Sequence, residues 1–267
     1  MVPPPIALTI AGSDSSGGAG IQADIKTFSS LGVYSASVIT NITAQNTCGV
    51  HAIHPLPPNV IETQLRAVFN DLNISCVKIG MLNSIGTIHL VSQILQEYRP
   101  KHIVLDPVMI SSSGKPLIET TAIEALKKEL FPISTIITPN IPEAAVLLNM
   151  PQAKTKNAMY ETISGLNKFG SQSVLLKGGH LIGDTCMDLL SDSDNIYEFA
   201  QSKIATKNTH GTGCTLSSAI SANLALGNSI TDAVFKANIY LNNAIKQADS
   251  LQIGKGSGPV HHFYNQW

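Results

Sequence analysis

Ile6-Ala7-Leu8-Thr9-Ile10-Ala11-Gly12-Ser13-Asp14-Ser15-Ser16-Gly17-Gly18-Ala19-Gly20-Ile21-Gln22-Ala23-Asp24 passes from a β-branched apolar run, through a glycine-rich turn, into an amphipathic segment. Residues 6–10 have the length and composition of a buried strand, and 21–31 carry apolar residues at helical spacing. The same rhythm recurs along the chain. Residues 34–40, 76–79, 102–105, 135–137 and 173–176 read as strands, and 60–72, 85–98, 121–130 and 158–169 as helices between them. Short strands separated by helical crossovers predict an α/β fold with a mostly parallel sheet. Residues 189–190 and 197–199 flank a turn-rich stretch at 191–195 and predict a surface hairpin. Helices at 214–226 and 230–248 follow. With no linker, repeat or low-complexity segment in 267 residues, one domain over 1–267 is expected.

Composition narrows the partners. Hydrophobic residues make up 43% and charged ones 13%, with a net charge of −1. That balance gives no electrostatic footprint for nucleic acid or an anionic membrane. No apolar run approaches the ~20 residues that span a bilayer, and the first basic residue is Lys26, so no signal-peptide charge pattern is read. The four cysteines lack CxxC pairing, which indicates neither a zinc site nor a disulfide frame. A cytoplasmic location is the expectation.

Open α/β sheets bind ligands beyond the carboxyl ends of their strands. The segments that follow the predicted strands are 12–20, 41–49, 80–81, 106–109, 138–143 and 177–180. They hold glycines, amides, two isolated acids and a lysine, a set suited to hydrogen-bonded recognition beside a metal-phosphate centre. The turn at 12–20 lacks the Gly-Lys-Ser/Thr ending of a P-loop. Its 18–23 stretch matches a relaxed dinucleotide fingerprint, yet no acid stands between Asp24 and Glu62 to hold a ribose. Two readings stay open for it: a tight turn for backbone reasons, or the preferred one, a turn that lets backbone approach a flat ligand. Asp24 taken alone reads as a solvated helix-start acid. Gln45 and Asn46 read either as turn amides or as the donor-acceptor pair that a heteroaromatic edge requires.

Asn208-Thr209-His210-Gly211-Thr212-Gly213-Cys214 is the strongest local signal. Glycines at a helix start let free N–H groups converge on an anion, and the same dipole should lower the Cys214 thiol pKa. Asp106 beside Pro107 and Glu143 beside Pro142 read either as helix caps or as a carboxylate pair for Mg²⁺. Phosphoryl transfer needs positioning, metal and an anion cradle, and each has a candidate here. His180 and His210 read first as turn residues.

The 11–24 stretch, Ala44-Gln45-Asn46-Thr47, Lys78-Ile79-Gly80-Met81-Leu82, Thr138-Pro139-Asn140-Ile141-Pro142-Glu143-Ala144, Leu176-Lys177-Gly178-Gly179-His180, the 206–215 stretch and Gly254–His262 together resemble hydroxymethylpyrimidine/phosphomethylpyrimidine kinase. The likeness covers essentially the whole chain. It implies a ribokinase-like three-layer α/β/α sandwich with a small β-hairpin edge. It also implies successive phosphorylation of 4-amino-5-hydroxymethyl-2-methylpyrimidine and its monophosphate from ATP with Mg²⁺, by a cytoplasmic homodimer. On that likeness Gln45 reads the ring edge, with Gly12, Ala19, Asp24, Met81 and Val108 shaping the pocket. Gly211, Thr212, Gly213 and Cys214 form the anion hole, Cys214 standing where related kinases carry an Asp base. Asp106, Asn140, Lys177 and Thr209 approach ATP, and Asp106 and Glu143 hold the metal. Ser13 and Ser15 stand where the family commonly has Thr and Pro, a departure that leaves the chemistry untouched. A pyridoxal kinase and a non-catalytic vitamin-precursor sensor are the alternatives. Retention of both acids, Lys177 and the anion-hole run argues against the sensor.

Overall fold

The computed structural model describes residues 3–109, 117–179, 181 and 183–267. Among these residues nine strands form one sheet: β1 (Ile6–Asp14), β2 (Tyr34–Asn46), β3 (Gly49–Pro55), β4 (Ile74–Ile79), β5 (Ile103–Leu105), β6 (Ile136–Ile137), β7 (Ser173–Leu176), β8 (Thr185–Asp192) and β9 (Asn195–Ser202), in the order β3-β2-β1-β4-β5-β6-β7-β8-β9. Pairings from β2 through β7 are parallel, and β3, β8 and β9 add antiparallel edges. The central parallel strands β4 to β7 are buried on both sides, so they read as short apolar runs.

Helices cover both faces. On one side α2 (Pro58–Asp71), α3 (Ile85–Tyr98), α4 (Thr120–Ala125), α5 (Ile141–Leu148) and α6 (Lys156–Leu166) pack around Ile61, Ile88, Leu105, Leu126 and Ile163. On the other, α1 (Gly20–Ser30), α7 (Thr212–Ala225) and α8 (Ile230–Lys246) pack on Cys76, Val104, Ile220 and Phe28. This is the expected α/β/α arrangement. The predicted hairpin is β8-β9, longer than expected at both arms.

Two expectations need correction. The segment after the second strand is no loop: β2 continues to Asn46 and turns back as β3. In this extension Asn41 and Thr43 face inward while Ile42 and Ala44 are exposed. The polar side is the inner side there, so the hydrophobic pattern gives no warning. β1 likewise runs four residues past Ile10 to Asp14, which carries the start of the glycine turn onto the sheet edge.

Candidate active site

Apart from Asp24 and Asn46, the anticipated residues among those described gather around one cavity of about 460 Å³ at the carboxyl edge of the parallel strands; Asn46 is a turn amide, accepting the Cys48 N–H at 2.8 Å. Gly12, Ala19, Gln45, Met81, Val108 and Thr209 line it, with Gln45, His210, Asp14 and the Ala19 N–H in one connected group. Asp106, Asn140, Glu143 and Lys177 also line it, Lys177 bonded to Asp106 and Asn140 to Glu143, as do Gly211, Thr212, Gly213 and Cys214. His180 lies outside the described residues.

Asp24 is the other exception. It is buried on α1, where its carboxylate accepts from Thr9 Oγ1 at 2.6 Å, Ser218 Oγ at 2.6 Å and Lys78 Nζ at 3.0 Å. With those three donors it supports the pocket from beneath and does not line it. Neither solvated helix-start acid nor ring contact describes it. Lys78, which does line the cavity, went unremarked in the sequence. The signal was there: a lysine inside the apolar strand Val77–Ile79 must find a charge partner.

The turn that begins α7 depends on missing side chains. Gly211 has φ 80°, and a Cβ there would lie 1.8 Å from the Gly18 carbonyl oxygen. A Cβ on Gly18 would in turn meet His210 Cδ2 at 2.4 Å. The two glycine-rich turns are therefore in direct contact, and α7 begins against the 12–20 loop. N–H groups in the first turn of a helix have no intrahelical acceptor, and those of α7 sit at the cavity wall.

Lys177 follows β7 and places its ammonium 2.7 Å from Asp106 Oδ1, which also accepts from Thr138 Oγ1 at 3.0 Å. Burial works against charge at Asp106, but the Lys177 and Lys78 ammoniums outweigh it and hold its carboxyl below the ordinary range. Burial also opposes the charge on Lys177, and Asp106 and Glu143 reverse that, raising its pKa. A Cβ on Gly213 would stand 3.4 Å from Lys177 Nζ, so the lysine and the α7 N-terminus face the same point.

Glu143 has the helix-start role: it forms a capping box with Asn140, each accepting the other's backbone N–H at 2.8 Å. It also lines the cavity with Asp106. Burial, with the Asp106 charge adding to it and Lys177 opposing, pushes its carboxyl up to about 7. Two oxygen-donor carboxylates whose repulsion a cation would relieve fit Mg²⁺, which with phosphate oxygens requires only one or two of them. Among the described residues no group of three or more His, Cys, Asp or Glu is gathered.

Cys214 departs from expectation. Burial, with Asp24 and Asp106 adding, pushes its thiol up to about 11, although Lys78 and a Gly20 N–H pull the other way. Desolvation at this helix start outweighs the dipole, so the thiol is protonated at neutral pH.

At the opposite end Asp14 organises the glycine turn. Its carboxylate accepts from the backbone N–H groups of Ser16, Gly18 and Ala19 and lies 2.8 Å from His210 Nε2. Burial alone would raise its pKa, but the His210, Ser16 and Ala19 bonds hold it at about 2. His210 Nε2 in turn stands 3.3 Å from Gln45 Nε2, while Gln45 Oε1 stands 3.2 Å from Thr43 Oγ1. Asp14 was legible as an acid followed by Ser and Gly, the pattern of a side chain that caps its own turn.

Comparison with known proteins gives a consistent result. The sequence pattern of the family described as phosphomethylpyrimidine kinase matches residues 14–261. The hydroxymethylpyrimidine/phosphomethylpyrimidine kinase of Salmonella typhimurium is 47% identical over 261 residues, 98% of either chain. That of Rhizobium meliloti is 48% identical over 262 residues, again 98% of both. Among solved structures, Bacillus subtilis pyridoxal kinase in complex with ADP superposes with a TM-score of 0.91 and 34% identity over 99% of both chains. Phosphomethylpyrimidine kinase from Clostridium difficile superposes with a TM-score of 0.80 and 46% identity, over 90% of this chain and 99% of its own. The fold is thus ribokinase-like, and the chain belongs to the phosphomethylpyrimidine kinase family.

Proposed function

We propose that the protein phosphorylates 4-amino-5-hydroxymethyl-2-methylpyrimidine and then the resulting monophosphate, using MgATP in both steps. One observation carries this reading. A single cavity brings the Gln45 amide, which suits a heteroaromatic edge, together with the α7 N-terminus and the Lys177–Asp106 pair, which suit transferring phosphate. Lys177 and the α7 N–H groups stabilise charge on the phosphoryl oxygens as it moves. Asp106 and Glu143 would hold Mg²⁺, which when bound neutralises phosphate charge. Gln45 and the 12–20 turn orient the ring. A cytoplasmic homodimer belongs to the same reading. The test is incubation of the protein with ATP and the pyrimidine, its monophosphate or pyridoxal, followed by product masses. Sequential addition of one and then a second phosphoryl group to the pyrimidine is expected, with slower transfer to pyridoxal. Absence of transfer to the pyrimidine overturns the reading. Faithful transfer to pyridoxal alone would move it to the related activity seen in the structural neighbours.

The metal assignment has its own test. Glu143→Gln removes a charge that Mg²⁺ would use while keeping the capping-box shape. The Mg²⁺ concentration for half-maximal rate should rise roughly 10- to 100-fold, by analogy with loss of a group that supports a metal site. Unchanged Mg²⁺ dependence would leave Glu143 with the capping role alone.

For Cys214 the raised thiol alters what is expected of mutation. A general base contributes ~10²–10⁴-fold when its pKa lies near the working pH, and a thiol at about 11 does not meet that condition. Cys214→Ala should therefore lower both phosphorylations by similar, modest factors in single-turnover measurements. The monophosphate acceptor is ionised near neutral pH and needs no base. A large loss confined to the hydroxyl acceptor would restore the base role.

A further inference from the structure

His210 sits where three functional segments meet, and its hydrogen bonds have a consequence for what Gln45 can read. Its ring nitrogen Nε2 faces an Asp14 carboxylate oxygen at 2.8 Å and the end of the Gln45 side chain at 3.3 Å. A carboxylate only accepts, so Nε2 must carry the proton. Asp14 stays ionised here because three backbone N–H groups and the Ser16 hydroxyl also point at it. An amide N–H cannot then face the same Nε2–H.

The other end of the amide meets the same restriction. Thr43 Oγ1 lies 3.0 Å from the Ser13 carbonyl oxygen and 3.2 Å from Gln45 Oε1. The single hydroxyl proton goes to the Ser13 carbonyl, so Thr43 can serve Gln45 only as an acceptor. Both ends are satisfied at once when the amide is turned by half a rotation, since its N and O exchange places with little change of shape. His210 Nε2–H then donates to Asp14 and to the Gln45 carbonyl oxygen. The Gln45 NH₂ donates to Thr43 Oγ1, and Thr43 donates to Ser13. The Gln45 backbone is fixed as well, by reciprocal bonds with the Ser15 hydroxyl at 2.8 and 2.9 Å.

We propose that His210 is a specificity-determining positioning residue: with Asp14 and Thr43 it locks the Gln45 amide so that the carbonyl oxygen lies on the His210 side and the NH₂ on the Thr43 side. The proposal rests on the kinase reading for the identity of the ring, but not for the lock. A free amide can present donor and acceptor in either order and accepts a ring edge of either polarity. A locked amide accepts one order only. The edge it fits has an exocyclic amino donor beside an unprotonated ring nitrogen, as in a 4-aminopyrimidine. A 4-oxopyrimidine presents a carbonyl beside a ring N–H, so both of its groups meet like partners. Leaving buried polar groups unpaired is what gives such sites their discrimination.

The experiment is calorimetric binding, without ATP, of 4-amino-5-hydroxymethyl-2-methylpyrimidine and its 4-oxo counterpart. The intact protein should favour the amino ring by at least about tenfold, as expected when a site's polar groups are left unpaired by the wrong ring. His210→Leu should bring the two affinities to within about threefold, chiefly by improving the oxo ring, because the amide can then turn over. Thr43→Val, which releases the other end, should narrow the ratio in the same direction and serves where the His210 variant does not fold. A role limited to supporting the turn would weaken both rings and leave their ratio unchanged, and that result overturns the proposal. So does equal binding of the two rings, or binding of neither, by the intact protein. Binding is read without catalysis, so an amino-ring preference that the His210 and Thr43 variants narrow, in a protein that transfers no phosphate, would count against the kinase reading and leave the lock standing.

Discussion

Lys177→Ala is expected to lower kcat by about 10²–10³-fold in both phosphorylations, the loss typical when a preorganised donor to a transition-state charge is removed. Three features make this lysine more than a surface cation. Its ammonium is half-buried and held beside the buried Asp106 at 2.7 Å. It faces the N-terminus of α7 across the gap that Gly213 leaves open. Its backbone is fixed too, since the Lys177 N–H donates to the Pro139 carbonyl at 2.9 Å and the Gly178 N–H to Asp188 Oδ1 at 2.8 Å. The charge is therefore already in place before phosphate arrives, and no reorganisation is needed during transfer. Removing it also leaves Asp106 more exposed to repulsion by incoming phosphate. The measurement is steady-state kinetics with each acceptor, with a thermal melt to check that the variant is folded. A folded variant that loses less than about threefold in kcat, or whose defect lies only in KM, would mean that Lys177 binds ground-state nucleotide without favouring transfer.

Much of this arrangement was legible in the sequence, and the parts that were not share a cause. Strands β4 to β7 are short apolar runs because helices bury them on both faces, and such runs are readable without tertiary information. The 208–214 turn was readable because glycines before a helix have few uses other than close approach. The continuation of β2 through Gln45 was missed because its inward residues, Asn41 and Thr43, are polar and its outward ones apolar. Periodicity assigns the inner face by hydrophobicity, and here the inner face belongs to a ligand cavity. β3 has no buried residue along its length, and its Val50–Ala52 side ends in His54, so no run of strand-like alternation stands out. α5 was anticipated only as a first turn at Pro142 and Glu143. At Cys214 the error was one of magnitude: the helix dipole was weighed without the desolvation that three-dimensional packing adds. Asp24 shows the same limit, because one acid on a helix looks solvated until the elements that cover it are known.

Those covering elements lead to the second large effect, on stability. Asp24 on α1 and Lys78 on β4 form an ion pair at 3.0 Å with both side chains fully buried. Thr9 on β1 and Ser218 on α7 complete the carboxylate's hydrogen bonds at 2.6 Å each. Four elements thus meet at one charge pair below the cavity, between the glycine turn that begins α1 and the glycine turn that begins α7. Burial disfavours the Lys78 ammonium, but the Asp24 carboxylate, with Asp106 adding, more than offsets this and raises its pKa. Removing one partner strands the other charge in a dry interior, which costs about 3–5 kcal/mol, whereas replacing both by apolar groups is often close to neutral. Lys78→Met and Asp24→Asn should each lower unfolding free energy in urea, Lys78→Met by about 3–5 kcal/mol because it leaves an anion unpaired. Combining Lys78→Met with Asp24→Leu should recover a large part of that loss. The recovered double variant should still be catalytically impaired, since Lys78 also supports the charge state of Asp106. If Lys78→Met costs less than about 1 kcal/mol, within the range of an exposed pair, or if the double variant is no more stable than either single one, the buried pair is not what holds α1 and α7 in register beneath the site.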